Sequence, residues 1–465
     1  MGQNTSFFYL HAKVRYFKRL IPFVFIVFTH CMVNKVIFVV LMLQVQYIRE
    51  NKDKVVAGLT RKKVKDAAEA IHKVISLDDA RKKQQTQLEQ VLSEINTISD
   101  SVGQLFKQGK KEEAETLRAK SAALKEVVKN GENALREAES ALHDFLVTLP
   151  NVPYHLVPEG STPEDNQVVY SHGEIPVLAE NAKPHWELAQ QYDLIDFELG
   201  VKLTGAGFPV YKGKGAKLQR ALINYFLHRA EQEGYTEVQP PILVNEDSGF
   251  GTGQLPDKEG QMYHVGIDHL YLIPTAEVPI TNIYRDAIVK AGELPIKNAG
   301  YTPCFRREAG SYGKDVRGLN RLHQFDKVEI VQIAHPSKSY EVLEEMQNYV
   351  AGLLKSLELP FRILRLCGGD MSFASAMTYD MEVYSTAQQR WLEVSSVSNF
   401  ETFQSNRLKL RYREGDAKPV LAHTLNGSAL ALPRIVAALL ENNQSPDGIR
   451  IPACLVPFTG FEWIR

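Results

Sequence analysis

The stretch "CFRREAGSYGKDVRGLNRLHQFDKVEI", Cys304 to Ile330, carries six cations, Arg306, Arg307, Lys314, Arg317, Arg321 and Lys327, and ends in a strand-like alternation. Its two ends, "CFRRE" and "HQFDKVEIVQI", have the pattern of neighbouring antiparallel strands joined by the connection 309–322. Side chains alternate across a strand, so Arg306 and Glu308 share one face, and Phe325, Lys327 and Glu329 share another. A connection this long inside a domain is more often functional than decorative. The stretch thus offers cations for phosphate oxygens, an aromatic ring for stacking and carboxylates for an amine. A surface hairpin with scattered, weak ion pairs accounts for the same residues.

Around this pair the sequence alternates short strand-like runs with turns. "HLYLIPT", "TYDMEVY" and "WLEVSSVSN" are such runs, and few of the connections are long enough for a parallel crossover helix. Residues 216–234 place Leu218, Ala221, Leu222, Tyr225 and Phe226 on one helical face. In "TEVQPPILV" after them, Pro240 and Pro241 restrict a strand to an edge or an interface. The expected class is α+β, an antiparallel sheet flanked by helices.

A different pattern precedes it. From about Ser76, Leu88, Val91, Ile95, Ile98, Val102 and Leu105 fall on heptad positions; the pattern breaks at "KQGKK", 107–111, and resumes from Ala114 to Phe145. Two heptad helices joined by a short polar turn fold back as an antiparallel hairpin. Its tip is basic, with Lys107, Lys110, Lys111, Arg118 and Lys120 among acidic neighbours. A solvated coiled-coil surface and a phosphate-backbone contact both explain that charge. The Pro-rich stretch after Pro150 reads as a linker or domain boundary, which divides the chain into 42–150 and 151–465.

Composition sets the limits. With 465 residues, 44% hydrophobic and 23% charged, the chain is long enough for two or three globular domains. The formal net charge of −1 demands no polyanionic partner, so any nucleic-acid surface is a local patch. Four scattered cysteines without a CxxC pair argue against a zinc site or disulfide framework and fit a reducing compartment. Residues 1–41 hold five basic residues and no acidic one, and Leu20 to Leu43 is long and apolar enough to span a bilayer, although Pro22, His30, Asn34 and Lys35 interrupt it. They are read as preceding a true start at Met42, with a membrane or targeting segment as the alternative.

Six separated blocks carry a resemblance: "GYTEVQPPILV", "GTGQLP", "PTAEVP", "TPCFRREAGSYGKDVRGLNRLHQFDKVE", "EVSSVSN" and "TLNGSALALPR". In this order, behind a helical hairpin, they resemble the bacterial-type seryl-tRNA synthetases, class II aminoacyl-tRNA synthetases. The resemblance runs from about Met42 to the C-terminus. It implies an N-terminal coiled-coil arm for tRNA followed by a class II catalytic domain on an antiparallel sheet.

The resemblance also implies residue roles. Arg306, Glu308 and Arg434 would form the catalytic set, with Arg306 on the α-phosphate and the serine carboxylate. Arg306, Arg307, Glu308, Phe325, Glu393, Val394, Ser395, Ser396 and Arg434 would bind ATP, and Glu393 and Ser396 would hold Mg²⁺. Thr275, Ala276, Glu277, Arg306, Glu329 and Ser428 would read serine. Glu393 and Ser396, three residues apart, cannot share a face of a regular strand, so a bulge or a strand end is required there. His264, His323 and His423 are expected to be structural.

The implied activity is serine–tRNA ligation with ATP as co-substrate and Mg²⁺ as cofactor. The implied partners are L-serine, serine tRNA, with selenocysteine tRNA as a further candidate, and a second copy of the chain. A cytoplasmic enzyme without stable membrane association is expected. A paralogue loading an amino acid onto a carrier protein and a catalytically silent RNA-binding protein are the alternatives. Ala429 and Pro433 stand where the family often has glycine, and Gly207 where many relatives carry arginine; Pro433 suits the first turn of a helix.

Overall fold

The two heptad patterns become the helices α1 (Ala67–Lys107) and α2 (Lys111–Leu146), antiparallel and joined by a turn in which Gly109 takes φ +78°. The computed structural model describes residues 44–257, 259–308 and 317–465, and the extension 1–41 lies outside them. α1 starts nine residues before the expected Ser76. The early turns carry no heptad because Ile71 and Val74 pack instead into a small core with Val45, Ile48, Val55, Leu59, Leu142 and Leu146. At 1.5 Å per residue α1 is about 60 Å long, longer than the heptads alone imply. Farther out the seam is narrow, and Gly131 lets the Leu88 side chain approach α2. Asp78, buried at the arm's base, is surrounded by Arg49, Arg81 and Lys82 at 2.8–3.0 Å. Against the opposing effect of burial, hydrogen bonds from Lys82, Arg81 and Arg49 hold its carboxyl below the usual range.

The stretch read as a linker or domain boundary is packed in place at its start. Asn151 donates through Nδ2 to the carbonyls of Ala374 and Phe400, both at 2.9 Å, and Val152 is buried. Residues 151–153 and 157 are buried, while 161–165 are exposed, so the stretch is docked at its start and open beyond it. Lys62, from the same N-terminal region, donates to the carbonyls of Ser372 and Ser375 at 2.5 and 2.8 Å.

The part of the chain after residue 150 is built on an eight-stranded sheet. Its strands in chain order are β1 (Gln167–His172), β2 (Thr236–Glu237), β3 (Ile296–Phe305), β4 (Gln324–Ala334), β5 (Phe361–Arg365), β6 (Met377–Ser385), β7 (Arg390–Asn399) and β8 (His423–Ala431). Their spatial order is β1-β5-β6-β7-β8-β4-β3-β2, antiparallel throughout except for β2 beside β3. The α+β expectation holds, and "CFRRE" and "HQFDKVEI" are adjacent, with Phe325 opposite Cys304. "TEVQPPILV" yields only the edge strand β2 and a second pair at Leu243–Val244, as its two prolines require. Helices α3 (Gly213–Gln232), α4 (Ser339–Ser356) and α5 (Leu432–Asn442) cover the sheet with a continuous core containing Leu222, Phe226, Met346, Leu353, Ile435 and Leu439. Among the described residues, no helix is long and apolar enough to cross a membrane.

Candidate active site

The central strands β8, β4 and β7, together with the segment following β3, enclose a cavity of about 660 Å³. Thr275, Glu277, Arg306, Glu308, Phe325, Glu329, Glu393, Val394, Ser395, Ser396, Ser428 and Arg434 all line it. Residues from five separated segments thus converge where the sequence places the site. Two do not. Arg307 points to the outside, its guanidinium 5.4 Å from the Tyr263 ring centroid, because consecutive residues after β3 face opposite ways. Ala276 is buried in an apolar cluster with Ile280 and Val331, and its carbonyl accepts from the Ile280 N–H at 3.1 Å.

At the floor, β4 aims Lys327 and Glu329 to the same side, as alternation requires. Lys327 Nζ lies 2.5 Å from Glu329 Oε2 and donates to Thr275 Oγ1 at 2.9 Å, while Thr275 Oγ1 donates to Glu329 Oε2 at 2.9 Å. Lys327 and Glu329 are almost completely buried, so each charge depends on the other. Glu329 pairs in register with Ser428 of β8. Glu277 accepts from Gln404 Nε2 at 2.6 Å. Burial, then the neighbouring Glu329, push its carboxyl up to about 7, although Gln404, Lys327 and Asn426 pull the other way. The floor is a small, polar, buried pocket able to pair with a hydroxyl and an ammonium group.

Nearer the mouth, Arg306 Nε donates to the Pro274 carbonyl at 3.2 Å, and its guanidinium sits 5.2 Å from the Phe325 ring centroid. Arg306 is fixed from behind as well: His323 Nδ1 lies 3.0 Å from its carbonyl oxygen. Glu308 adopts φ +48° and accepts from Arg321 Nη1 at 2.9 Å. A non-glycine residue held in this region is backbone strain placed at the cavity lining. Opposite, Arg434 donates from Nε to the Asn320 carbonyl at 3.0 Å and from Nη1 to the Glu393 carbonyl at 2.6 Å. Pro433 lies in the first turn of α5, which settles the helix register that aims Arg434.

The required bulge is present. In the β6–β7 ladder Met381 pairs with Ser395 and Glu382 with Glu393, so Val394 is the extra residue, and both Glu393 and Ser396 reach the cavity. Their oxygens are hard donors suited to a divalent cation. Asp380 stands opposite Ser396 with Oδ1 buried and unpartnered, and burial, then Glu393, raise its carboxyl well above the usual range. This oxygen-rich corner fits a cation that also contacts phosphates, although among the described residues no group of three metal-ligating side chains converges.

The three histidines are structural. His423 bonds Ser339 Oγ at 2.7 Å and burial, with His335 nearby, lowers it to about 4; His323 stacks on Phe208 and holds Arg306; His264 packs on Tyr271. Gly207 has its own reason: at φ +83° a Cβ there would lie 2.4 Å from His323. The sequence reading placed Lys327 on the correct face without giving it a role. Asn426 and Gln404 could be found only through the fold, since they come from β8 and from the short helix Phe403–Leu408. At the arm tip Lys107, Lys110, Lys111, Arg118 and Lys120 are all exposed; three of them form ion pairs, with Glu113, Glu115 and Glu94.

Paired arginines over a nucleotide-sized cavity on an antiparallel sheet define a class II aminoacyl-tRNA synthetase core, and residues 263–443 match the family model described as tRNA synthetase class II core domain (G, H, P, S and T). Residues 42–153 match the seryl-tRNA synthetase N-terminal domain. The chain is 50% identical to a serine–tRNA ligase of Salinibacter ruber over 425 residues, covering 91% of this chain and 99% of that one. It is 44% identical to that of Geobacter sulfurreducens over 426 residues, covering 90% and 99%. Among solved structures, the seryl-tRNA synthetase of Pyrococcus horikoshii complexed with ATP matches with TM-score 0.85 and 32% identity, covering 91% of this chain and 99% of that one. The cytoplasmic serine–tRNA ligase of Naegleria fowleri in complex with AMP matches with TM-score 0.81 and 25% identity, covering 91% and 98%. The chain belongs to the seryl-tRNA synthetase family.

Proposed function

We propose that this protein activates L-serine with ATP to seryl-adenylate and transfers the seryl group to the 3′ end of serine tRNA. The observation that carries this reading is the joining, in one cavity, of the Lys327–Glu329–Thr275 floor with Arg306 and Arg434 above it. Serine sits on the floor, where Glu277, Glu329, Thr275 and Ser428 pair with its hydroxyl and ammonium groups. A site built for a hydroxyl rejects alanine, which would leave buried polar groups unpaired. Arg306 neutralises charge on the α-phosphate as the serine carboxylate oxygen attacks phosphorus and pyrophosphate departs. Phe325 and Arg434 flank the adenine, and Glu308 accepts from its amino group. Glu393 and Ser396 would hold Mg²⁺, which supplies charge neutralisation at the phosphates when bound.

The arm's exposed cations contact the backbone of serine tRNA, and selenocysteine tRNA is a second acceptor of the same kind. The enzyme works as a homodimer in the cytoplasm, each arm serving the other subunit. Serine-dependent ATP–pyrophosphate exchange tests the reading: exchange with serine and none with alanine or glycine is expected, and exchange absent with serine rejects it. Seryl transfer to tRNA, with none to a carrier protein, separates this reading from the carrier-loading alternative.

Glu277 adds a pH signature. With its carboxyl near 7, the ionised, accepting form is lost as pH falls through that value. The kcat/KM for serine in the exchange assay should fall about tenfold per pH unit on the acid side. Glu277→Gln should remove this limb, and an unchanged limb in that variant would assign it elsewhere.

A further inference from the structure

Behind the wall that carries Arg434, His185 and Glu441 form a pair with no exposed side-chain surface. His185 Nδ1 lies 2.7 Å from Glu441 Oε1, and the His185 backbone N–H donates to the same oxygen at 2.9 Å. On the opposite side of the ring, Nε2 accepts from the Leu319 N–H at 2.8 Å. A ring nitrogen that accepts from an amide carries no proton, so the proton is on Nδ1 and is donated to Glu441. Glu441 also accepts from Gln388 Nε2 at 2.9 Å and from the Ser385 hydroxyl. Gln388 Oε1 in turn accepts from Asn320 Nδ2 at 3.0 Å.

Two branches therefore leave one buried carboxylate and reach consecutive residues of the loop: Leu319 through His185, and Asn320 through Gln388. The Asn320 carbonyl is the acceptor that holds Arg434 Nε. Arg434 and Glu441 both belong to α5, so the start of this helix aims the arginine and its end secures the loop against which the arginine is aimed. The loop comes to the ring at Gly318, which has φ +66°, and a Cβ there would lie 2.2 Å from His185 Nε2. One residue beyond Asn320, Arg321 pairs with Glu308.

We propose that His185 is a positioning residue for nucleotide binding: its single tautomer ties Leu319 to Glu441 and so fixes the Asn320 carbonyl that orients Arg434. This rests on the assignment of Arg434 to the nucleotide. Neither sequence pattern nor cavity lining points to His185, which touches no substrate.

Two substitutions separate positioning from simple stability. His185→Asn keeps an amide near Nδ1 for Glu441 and loses the acceptor for Leu319. His185→Gln puts a carbonyl oxygen near the place of Nε2 and keeps that acceptor. In serine-dependent ATP–pyrophosphate exchange, H185N should raise the KM for ATP about tenfold and leave that for serine within about twofold. H185Q should recover most of the ATP KM at a similar thermal midpoint. Equal ATP KM values in the two variants, or rises for serine and ATP together that follow the loss of thermal midpoint, would overturn the proposal. Should both variants fail to fold, Gly318→Ala displaces the loop from the ring with His185 and Glu441 intact. The same ATP-selective rise is expected there, and a wild-type ATP KM would overturn the proposal. Absence of serine-dependent exchange in the unaltered protein would instead reject the functional assignment itself.

Discussion

Lys327→Met is expected to destabilise the fold by about 3–5 kcal/mol, the usual cost of removing one partner of a buried ion pair. Lys327 is 6% and Glu329 2% exposed, and Lys327 also opposes the upward shift of Glu277. Without the ammonium group, two carboxyls would share a buried floor with no cation on it. One of them must take up a proton, and serine binding should be lost with it. The thermal midpoint should fall by several degrees. Adding Glu329→Gln should recover much of that stability without restoring exchange, because the double change removes the unpaired charge but not the need for a charged floor. A Lys327→Met variant as stable as the unaltered protein would show that the pair contributes little.

The second large effect is on chemistry. Arg306→Ala should lower the rate of serine-dependent exchange by at least about 10²–10³-fold, the scale for removing one fixed donor from a developing charge. The thermal midpoint should change little, since Arg306 is only partly buried, its guanidinium donates to the Pro274 carbonyl, and its backbone bonds to His323 survive the substitution. Arg306→Lys should rescue poorly. A lysine offers one point charge where the guanidinium presents a planar fork and lies over Phe325. Exchange retained within about tenfold in Arg306→Ala would remove this residue from the α-phosphate.

What the sequence made legible follows from periodicity and from charge that has no local partner. The hairpin could be read because heptads report a seam directly, and its start could not because Ile71 and Val74 answer to a small globular core that adds Val45, Ile48, Val55 and Leu59 to the end of α2. The strand pair around Arg306 was legible from alternation, and so was Lys327's side of β4. Its role was not, because only the fold brings Thr275 within reach of it. Arg307, which the resemblance implies for ATP, lies outside the cavity lining, where alternation sends its side chain toward Tyr263. The packing at the start of the Pro-rich stretch was not legible, because prolines and polar residues serve a docked segment as well as a free one when its polar groups find backbone partners. His185 gave no signal, since its partners lie more than a hundred residues away in sequence.

The surplus residue in β7 has a consequence for how this gene can vary. Val394 shifts the pleat by one place, so Glu393 and Ser396 both face the cavity. Loss of that codon would return the ladder to regular pairing and leave Glu393 and Ser396 two places apart, still on one face, because the extra residue and the step it causes would go together. Pairing all four residues 393–396 in regular order would instead turn one oxygen to the opposite layer, so a spacing of three keeps both on the cavity only while this ladder stays irregular.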